Sequence, residues 1–255
     1  MLSQKPWQRE PAARLILGLI ITISCGGFLL SVIDRFTGAL SANEKQVFRM
    51  VLVALLYQGA ALFWIGMFLR EHQLSWRDAF GAGPGQLGRT VGLGILGGIC
   101  VVPIAMGLVN LSSWILSSTP VTPEEQISVR ILRESVARLP DERWLSFFKV
   151  SWTILAVTVV PIAEEVLFRG IFYPALKQSG SRSRLFAVLA TSILFAEIHF
   201  NLVTLVPLTM LAMIFTWLYE ETGSLLTPIL AHSIFNGANM ALLLYSEQIK
   251  RLSVP

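Results

Sequence analysis

The sequence predicts an all-α membrane protein, a polytopic bundle of seven or eight transmembrane helices. Hydrophobic residues make up 54% of the chain, charged residues only 14%, and the mean hydropathy is +0.64. Ordinary soluble domains carry more charge. The third observation is a series of apolar runs near the length of a membrane-spanning helix, at 15–33, 50–69, 91–116, 145–163, 185–200, 202–219 and 225–245.

The first apolar run follows Lys5, Arg9 and Arg14, an arrangement that a secretory signal also has. Its apolar character continues past Cys25 to residue 33, so we interpret it as an uncleaved span. Cys25 and Cys100 lie inside apolar runs. We expect them to be small buried residues without a disulfide.

Two segments between the runs are more polar. Residues 81–85 are a glycine-rich connector. Residues 119–142 place apolar side chains at roughly helical spacing, which fits an interfacial amphipathic helix, although a plain surface connector is the simpler interpretation. Lys and Arg residues divide equally between the two sides of the bundle, so they do not determine its orientation. The net charge of +4 fits loops near anionic lipid, and no nucleic-acid partner is predicted.

The fourth run ends at two adjacent carboxylates, Glu164 and Glu165, and Arg169 follows on the same segment. Charged side chains at membrane depth are unfavourable and are therefore usually functional. A carboxylate in low-dielectric surroundings is suited to general acid or base catalysis near neutral pH. This segment is therefore a candidate catalytic site.

Helical geometry predicts different surroundings for the two carboxylates, because each residue of an α-helix turns by about 100°. Glu165 and Arg169 share a face and are expected to form an ion pair, whereas Glu164 lies roughly 140° around the helix from Arg169. The pattern assigns Glu165 to structure and Glu164 to chemistry. Pro161 has no N–H and is expected to free the carbonyl of Val157, which would kink the helix and make room for water.

Two further pairs that contain polar residues lie in later apolar runs, Phe195 with His199 and His232 with Asn236. Both have i, i+4 spacing, which places the two members of a pair on one helix face. A single intramembrane histidine is often hydrogen-bonded packing. Here polar residues recur on three neighbouring spans, including the one that bears Glu164. This recurrence favours a functional cluster over simple packing.

These motifs resemble those of the CAAX prenyl endopeptidase and bacteriocin-processing family of intramembrane proteases. The residues that carry the resemblance are Glu164-Glu165-x-x-x-Arg169, Phe195-x-x-x-His199, and Thr222-Gly223-Ser224-Leu225 to Pro228 followed by His232 and Asn236. The resemblance covers about residues 145–240. It implies a bundle of membrane helices that cleaves a peptide bond in a cavity open to the bilayer.

The resemblance also implies roles for the motif residues. Glu164 and His199 would activate the attacking water, while His232 and Asn236 would stabilise the tetrahedral oxyanion. A carboxylate with an imidazole can take a proton from water, and a histidine with an asparagine can supply donors to an oxyanion. The supporting residues would be Glu165, Arg169 and Phe195.

The expected organisation follows from the same resemblance. The predicted partners are membrane lipid and a membrane-associated peptide or protein substrate, and the predicted location is a bacterial plasma membrane. The substrate itself, and whether it is prenylated, stays open. The three expected parts are N-terminal transmembrane helices and connectors at 1–144, a protease-like catalytic core at 145–245 and a short C-terminal tail at 246–255.

A zinc site is the alternative to metal-free catalysis. Glu164, His199 and His232 form a plausible two-histidine, one-carboxylate ligand set with an open fourth position. The chain has no His-Glu-x-x-His helix, so a mechanism without metal or other cofactor is favoured.

Two other functions use the same residues. One is a non-catalytic membrane binding or immunity protein that holds a hydrophobic peptide in the cavity, and the other is a proton-coupled transporter with Glu164 as the relay. Glu197 departs from the family pattern, because it brings a carboxylate into a stretch that is usually apolar or small in the family. It is two positions from His199 and is expected on a roughly opposite helix face. If it faced the cavity, the assignment of a single catalytic carboxylate would be in doubt.

Overall fold

The structure, a computed structural model, is helical and has no β-strand in the residues that it describes. The predicted all-α class is confirmed. The described residues are 7, 9–35, 37–38, 40–81, 86–120, 122–126, 129–130, 133–134, 142–178 and 184–253. The helices are α1 (Arg9–Asp34), α2 (Ala42–Glu71), α3 (Trp76–Phe80), α4 (Leu87–Ser117), α5 (from Glu142 to Gln178), α6 (Arg184–Glu197), α7 (Leu202–Thr222) and α8 (Leu226–Ser253).

Each of the seven predicted apolar runs overlaps one of these helices. Among the described residues, five helices are long and apolar enough to cross a membrane, namely α1, α2, α4, α5 and α7. Helix α6 has 14 residues, or about 21 Å of length, which is too short to cross a bilayer alone. Helix α8 has 28 residues but carries polar side chains along its length. The chain is an integral membrane protein.

Helix α1 contacts α2 and turns its remaining surface outward. Gly18 makes room for the indole of Trp64, whose Nε1 donates to Thr22 Oγ1 at 3.1 Å. Cys25 on α1 and Cys100 on α4 are free, as predicted, but both are exposed. The expectation that they are buried was wrong, because the outer faces of these helices are apolar without being covered by protein.

Helices α4, α7 and α8 form the tightly packed part of the bundle. Gly94 and Gly98 bring α4 close to α8, since a Cβ atom on them would lie 2.9 Å from Leu230 Cβ and 2.7 Å from Ile234 Cβ respectively. Gly223 ends α7 with a left-handed φ of 68°, a conformation that favours glycine. Part of the predicted family motif thus forms the sharp α7–α8 turn that sets the direction of α8.

Helix α5 contains two π-helical turns, on either side of the adjacent carboxylates. The segments are α-helix Glu142–Ile154, π-helix Leu155–Val159, α-helix Val160–Glu165, π-helix Val166–Phe172 and α-helix Tyr173–Gln178. The first π-helical turn changes the register in front of Pro161: Val160 N–H bonds to Leu155 O, five residues earlier. A regular helix would place Val157 O opposite Pro161. In the π register of this turn the residue opposite Pro161 is Ala156, whose carbonyl therefore has no backbone donor there.

Three predicted segments lie partly outside the described residues. Of the connector 81–85, only Gly81 is described. Of the predicted interfacial segment 119–142, residues 122–126 are described and are not helical, whereas residues 129–130 and 133–134 are described and helical. Helix α8 continues to Ser253, so the predicted tail is helical as far as that residue.

Candidate active site

A cavity of about 580 Å³ lies between α4, α5, α7 and α8. Most of its wall is apolar, for example Trp152 and Val160 on α5. The four predicted catalytic residues all line it: Glu164, His199, His232 and Asn236. The structure therefore brings together polar side chains from α5, the α6–α7 connection and α8, although up to 72 positions of sequence separate them.

Glu164 and Glu165 lie on different sides of α5. Glu164 faces the cavity, and 17% of its side chain is exposed. Glu165 is fully buried, and its Oε1 accepts a hydrogen bond of 3.0 Å from Arg169 Nη1. The predicted ion pair is present, and the predicted difference in surroundings holds despite the π-helical turns.

Arg169 connects α5 to α6 and α7 although its side chain is almost completely buried. Its Nη2 donates to Ala212 O on α7 at 3.0 Å. Its guanidinium carbon lies 4.7 Å from the centre of the Phe195 ring and 5.5 Å from that of Phe215. Both distances are within the range of a cation–π contact. A buried charge needs such partners, and Arg169 has a carboxylate, a carbonyl and two aromatic faces.

Glu165 also binds His232, a contact that sequence reasoning missed. His232 Nδ1 lies 2.8 Å from Glu165 Oε1. An ionised carboxylate only accepts hydrogen bonds, so Nδ1 carries the proton. The other ring nitrogen, Nε2, lies 3.9 Å from Glu164 Oε2, which is too long for a hydrogen bond. The two carboxylates therefore flank one histidine, Glu165 holding it and Glu164 facing its free edge.

His199 is held where the chain turns from α6 into α7. Phe200 takes a left-handed φ of 48°, and the Asn201 side chain caps α7 by accepting from Thr204 N at 2.9 Å. His199 Nδ1 lies 2.7 Å from Phe195 O, a carbonyl that only accepts, so Nδ1 carries the proton. In the neutral ring, Nε2 is then an acceptor.

Phe195 contacts both His199 and the buried Arg169. Its backbone carbonyl holds His199, while its buried ring packs on Arg169 and lies within 6.0 Å of the His232 ring centre. Sequence reasoning predicted Phe195 as a supporting residue from the motif alone, without indicating which group it contacts.

Asn236 makes a contact that the sequence did not indicate. Its Nδ2 donates at 2.8 Å to Ala156 O, the carbonyl next to the first π-helical turn of α5. The i, i+4 spacing correctly predicted that Asn236 shares the cavity face with His232. The spacing could not show the partner on α5, because that depends on how the two helices are rotated against each other.

Two further parts of the chain bear on the site, Glu197 and the segment 122–126. Glu197 is exposed and does not line the cavity, so it does not share the cavity with Glu164. The described segment 122–126 lies along the cavity, and Asn201 Nδ2 donates to Glu124 O at 3.0 Å. The sequence predicted an interfacial helix that could guide a substrate, or a surface connector, and did not indicate which residues of this region lie along the cavity.

The zinc ligand set is not assembled by these side chains. Within the described residues, no three His, Cys, Asp or Glu side chains are grouped closely enough to hold a metal ion. No chemical step is therefore derived through zinc.

Comparison with known proteins assigns part of the chain. The B. subtilis (strain 168) protein named "Putative membrane peptidase YdiL" is 35% identical over 83 residues, which cover 32% of this chain and about a third, 33%, of that relative. No solved structure gives a significant match. Residues 146–238, which contain every predicted site residue, match the family model described as type II CAAX prenyl endopeptidase Rce1-like. The resemblance predicted from the motifs is thereby confirmed over residues 146–238, which are similar to that family.

Proposed function

We propose that this protein is an intramembrane endopeptidase that hydrolyses a peptide bond of a membrane-associated protein or peptide. The observation that carries the proposal is the cavity: Glu164, His199, His232 and Asn236 converge on it, and most of its wall is apolar. Intramembrane polar residues that meet in one cavity mark functional sites. The Rce1-like match over the same segment supports a protease.

Water activation is assigned to Glu164 and His199. Glu164 is open to the cavity, and His199 presents an unprotonated Nε2 because Nδ1 is held by a carbonyl. Either group can accept the proton of a water whose oxygen attacks the carbonyl carbon of the substrate. Collapse of the tetrahedral intermediate breaks the C–N bond, and the same proton passes to the leaving amine.

Oxyanion stabilisation is assigned to His232 and Asn236. The Asn236 amide has two N–H groups, and one remains after the bond to Ala156 O. His232 can donate from Nε2 only when both ring nitrogens carry protons. Glu164 and Glu165 each carry a negative charge, and Arg169 carries one positive charge. A positively charged His232 would therefore make the net charge of these four side chains zero.

The metal-free mechanism is part of the proposal. Purified protein should keep its activity in chelator, and metal analysis should find no stoichiometric zinc. Activity that is lost in chelator and restored by zinc would instead support the Glu164, His199 and His232 ligand set.

The remaining assignments are proposals of the same kind. We assign the protein to a bacterial plasma membrane, because the relative is bacterial. The proposed partners are lipid and a membrane-associated substrate, without nucleic acid, and residues 145–245 are the proposed catalytic core.

The test is cleavage by the reconstituted protein. Full-length protein in liposomes is incubated with quenched-fluorescent peptides that each carry an apolar anchoring segment. Glu164→Gln should lower the rate on the order of 100-fold or more, because proton transfer is lost. Glu197→Gln is the matched control, since it removes an exposed carboxylate near the site, and it should cleave like the parent.

Two results would contradict the proposal. Equal cleavage by the parent and Glu164→Gln would remove Glu164 from the chemistry. Absence of cleavage by the parent, combined with a cellular phenotype that Glu164→Gln preserves, would favour the non-catalytic binding function.

A further inference from the structure

A hydrogen bond joins α8 to the first π-helical turn of α5, and its donor is a side chain in place of the usual backbone N–H. Asn236 Nδ2 donates to Ala156 O at 2.8 Å, and the two residues are 80 positions apart. A carbonyl inside an α-helix is normally bonded by the backbone N–H four residues later. Here a side chain of another helix takes that place.

Two local features leave this carbonyl available. Val160, which would bond Ala156 O in a regular α-helix, gives its N–H to Leu155 O in the π-helical turn. Pro161, the next donor position in the π register, has no N–H. The π-helical turn and the proline together expose one acceptor at the wall of the cavity, which both Ala156 and Asn236 line.

A second asparagine on α8 shows what happens without such an acceptor. Asn239 lies on the same cavity wall, and its Nδ2 donates to Phe235 O of its own helix at 2.9 Å. An asparagine in this part of α8 can therefore satisfy its amide locally. Asn236 instead reaches across to α5, so α5 determines its orientation.

We propose that Pro161 is a positioning residue for Asn236. By withholding an N–H from Ala156 O, Pro161 makes this carbonyl the anchor of the Asn236 amide and leaves the second N–H available to the cavity. The terminal torsion of an asparagine is broad when nothing holds it. An anchored amide is a preorganised oxyanion donor. The catalytic consequence rests on the proposed function, whereas the orientation of Asn236 does not.

The first test is Pro161→Ala in the full-length reconstituted protein, with the anchored peptides as substrate. Alanine supplies an N–H that competes for Ala156 O, so kcat should fall about 10-fold to 100-fold with little change in KM. A merely structural proline predicts the opposite, because alanine in a helix restores a backbone donor and should preserve or improve the fold. Pro103→Ala is the control, since Pro103 also lies within a helix but is exposed and away from the cavity.

A double-mutant cycle tests whether Pro161 acts through Asn236. In an Asn236→Ala background, Pro161→Ala should cause no further fall in kcat, because the group that it positions is gone. An equal fall with and without Asn236 would show that Pro161 acts by another route and would overturn the inference.

A measurement that needs no substrate separates this inference from the proposed function. In protein labelled with ¹⁵N-asparagine, the Asn236 side-chain amide pair is identified by its loss in Asn236→Ala. Pro161→Ala should shift that pair and leave the Asn239 pair in place. An unshifted Asn236 pair would overturn the inference, even in an active protease. A shifted pair in a protein whose parent cleaves nothing would support the positioning and contradict the proposed function.

Discussion

Two neighbouring glutamates lie on different sides of α5, one facing the cavity and the other buried in the protein. Glu164 on the cavity side keeps part of its side chain open and meets His232 Nε2 only at 3.9 Å. Glu165 on the buried side has no exposed surface and accepts from both Arg169 and His232. A carboxylate can exchange a proton with water only where its oxygens are accessible. Burial and hydrogen-bond partners, not residue type, therefore distinguish the residue proposed for catalysis from the residue that supports the fold.

The buried side is nevertheless not independent of the cavity. His232 is bonded to Glu165 behind it and faces the cavity with its other edge. The simple division that the sequence predicts, with Glu165 for structure and Glu164 for chemistry, therefore has to be modified. Glu165 supports the fold through Arg169 and the proposed chemistry through His232.

The largest expected effect concerns the cavity side. Glu164→Ala should remove detectable cleavage, with a loss on the order of 100-fold or more. Thermal unfolding in detergent should stay close to that of the parent, because the contact of this side chain with His232 on α8, at 3.9 Å, is too long for a hydrogen bond. A strongly lowered Tm would show that Glu164 has a structural role and would erase the contrast between the two sides.

On the buried side, Glu165→Ala should lower both stability and activity. The substitution leaves the Arg169 charge buried without its carboxylate, which destabilises by about 3–5 kcal/mol. It also removes the partner of His232 Nδ1, so kcat should fall in the fraction that remains folded. Denaturant unfolding and active-site-normalised kinetics measure the two effects separately.

A double substitution separates the two functions of Glu165. Glu165→Leu combined with Arg169→Met replaces the ion pair by apolar side chains, and such replacements are often neutral or stabilising. The double variant should therefore be more stable than Glu165→Ala but should remain impaired in kcat, because His232 still lacks its partner. Recovery of activity together with stability would show that Glu165 only supports the fold.

Phe195 contacts both sides, because its ring packs on the buried Arg169 and its backbone carbonyl holds His199 at the cavity. Phe195→Leu removes the aromatic face over Arg169 and should lower stability by about 2 kcal/mol. The backbone carbonyl that holds His199 is unchanged, so kcat should change only a few-fold. Phe186→Leu on the exposed surface of α6 is the control. A loss of kcat much larger than a few-fold would mean that the ring also orients the catalytic histidines.

The smallest expected effect is at the cap of α7. Asn201→Ala removes the side chain that caps this helix, which should lower stability by about 1 kcal/mol. Asn201→Ser can still cap α7 but does not carry the amide that bonds Glu124 O, so it should recover most of that loss. If Asn201→Ser is as unstable as Asn201→Ala, the bond to the covering segment 122–126 matters more than the cap.

The sequence by itself determined the elements and the candidate residues. Apolar runs identified the helices, because a bilayer requires long apolar segments. The i, i+4 rule identified the Glu165–Arg169 ion pair, since both partners belong to one helix and their separation is fixed by its geometry. The motif order also identified the Rce1-like segment. These are local properties, which a linear pattern contains.

Only the tertiary structure decided which groups meet across helices. The bond from His232 to Glu165 and the bond from Asn236 to Ala156 each depend on the rotation and depth of α8 relative to α5. That Ala156 and not Val157 lies opposite Pro161 depends on a π-helical turn that the sequence 155–159 does not reveal. A periodic pattern fixes the face of a helix on which a side chain lies. It does not fix how two helices are placed against each other, and a hydrogen bond forms only within a few tenths of an ångström of its optimal length.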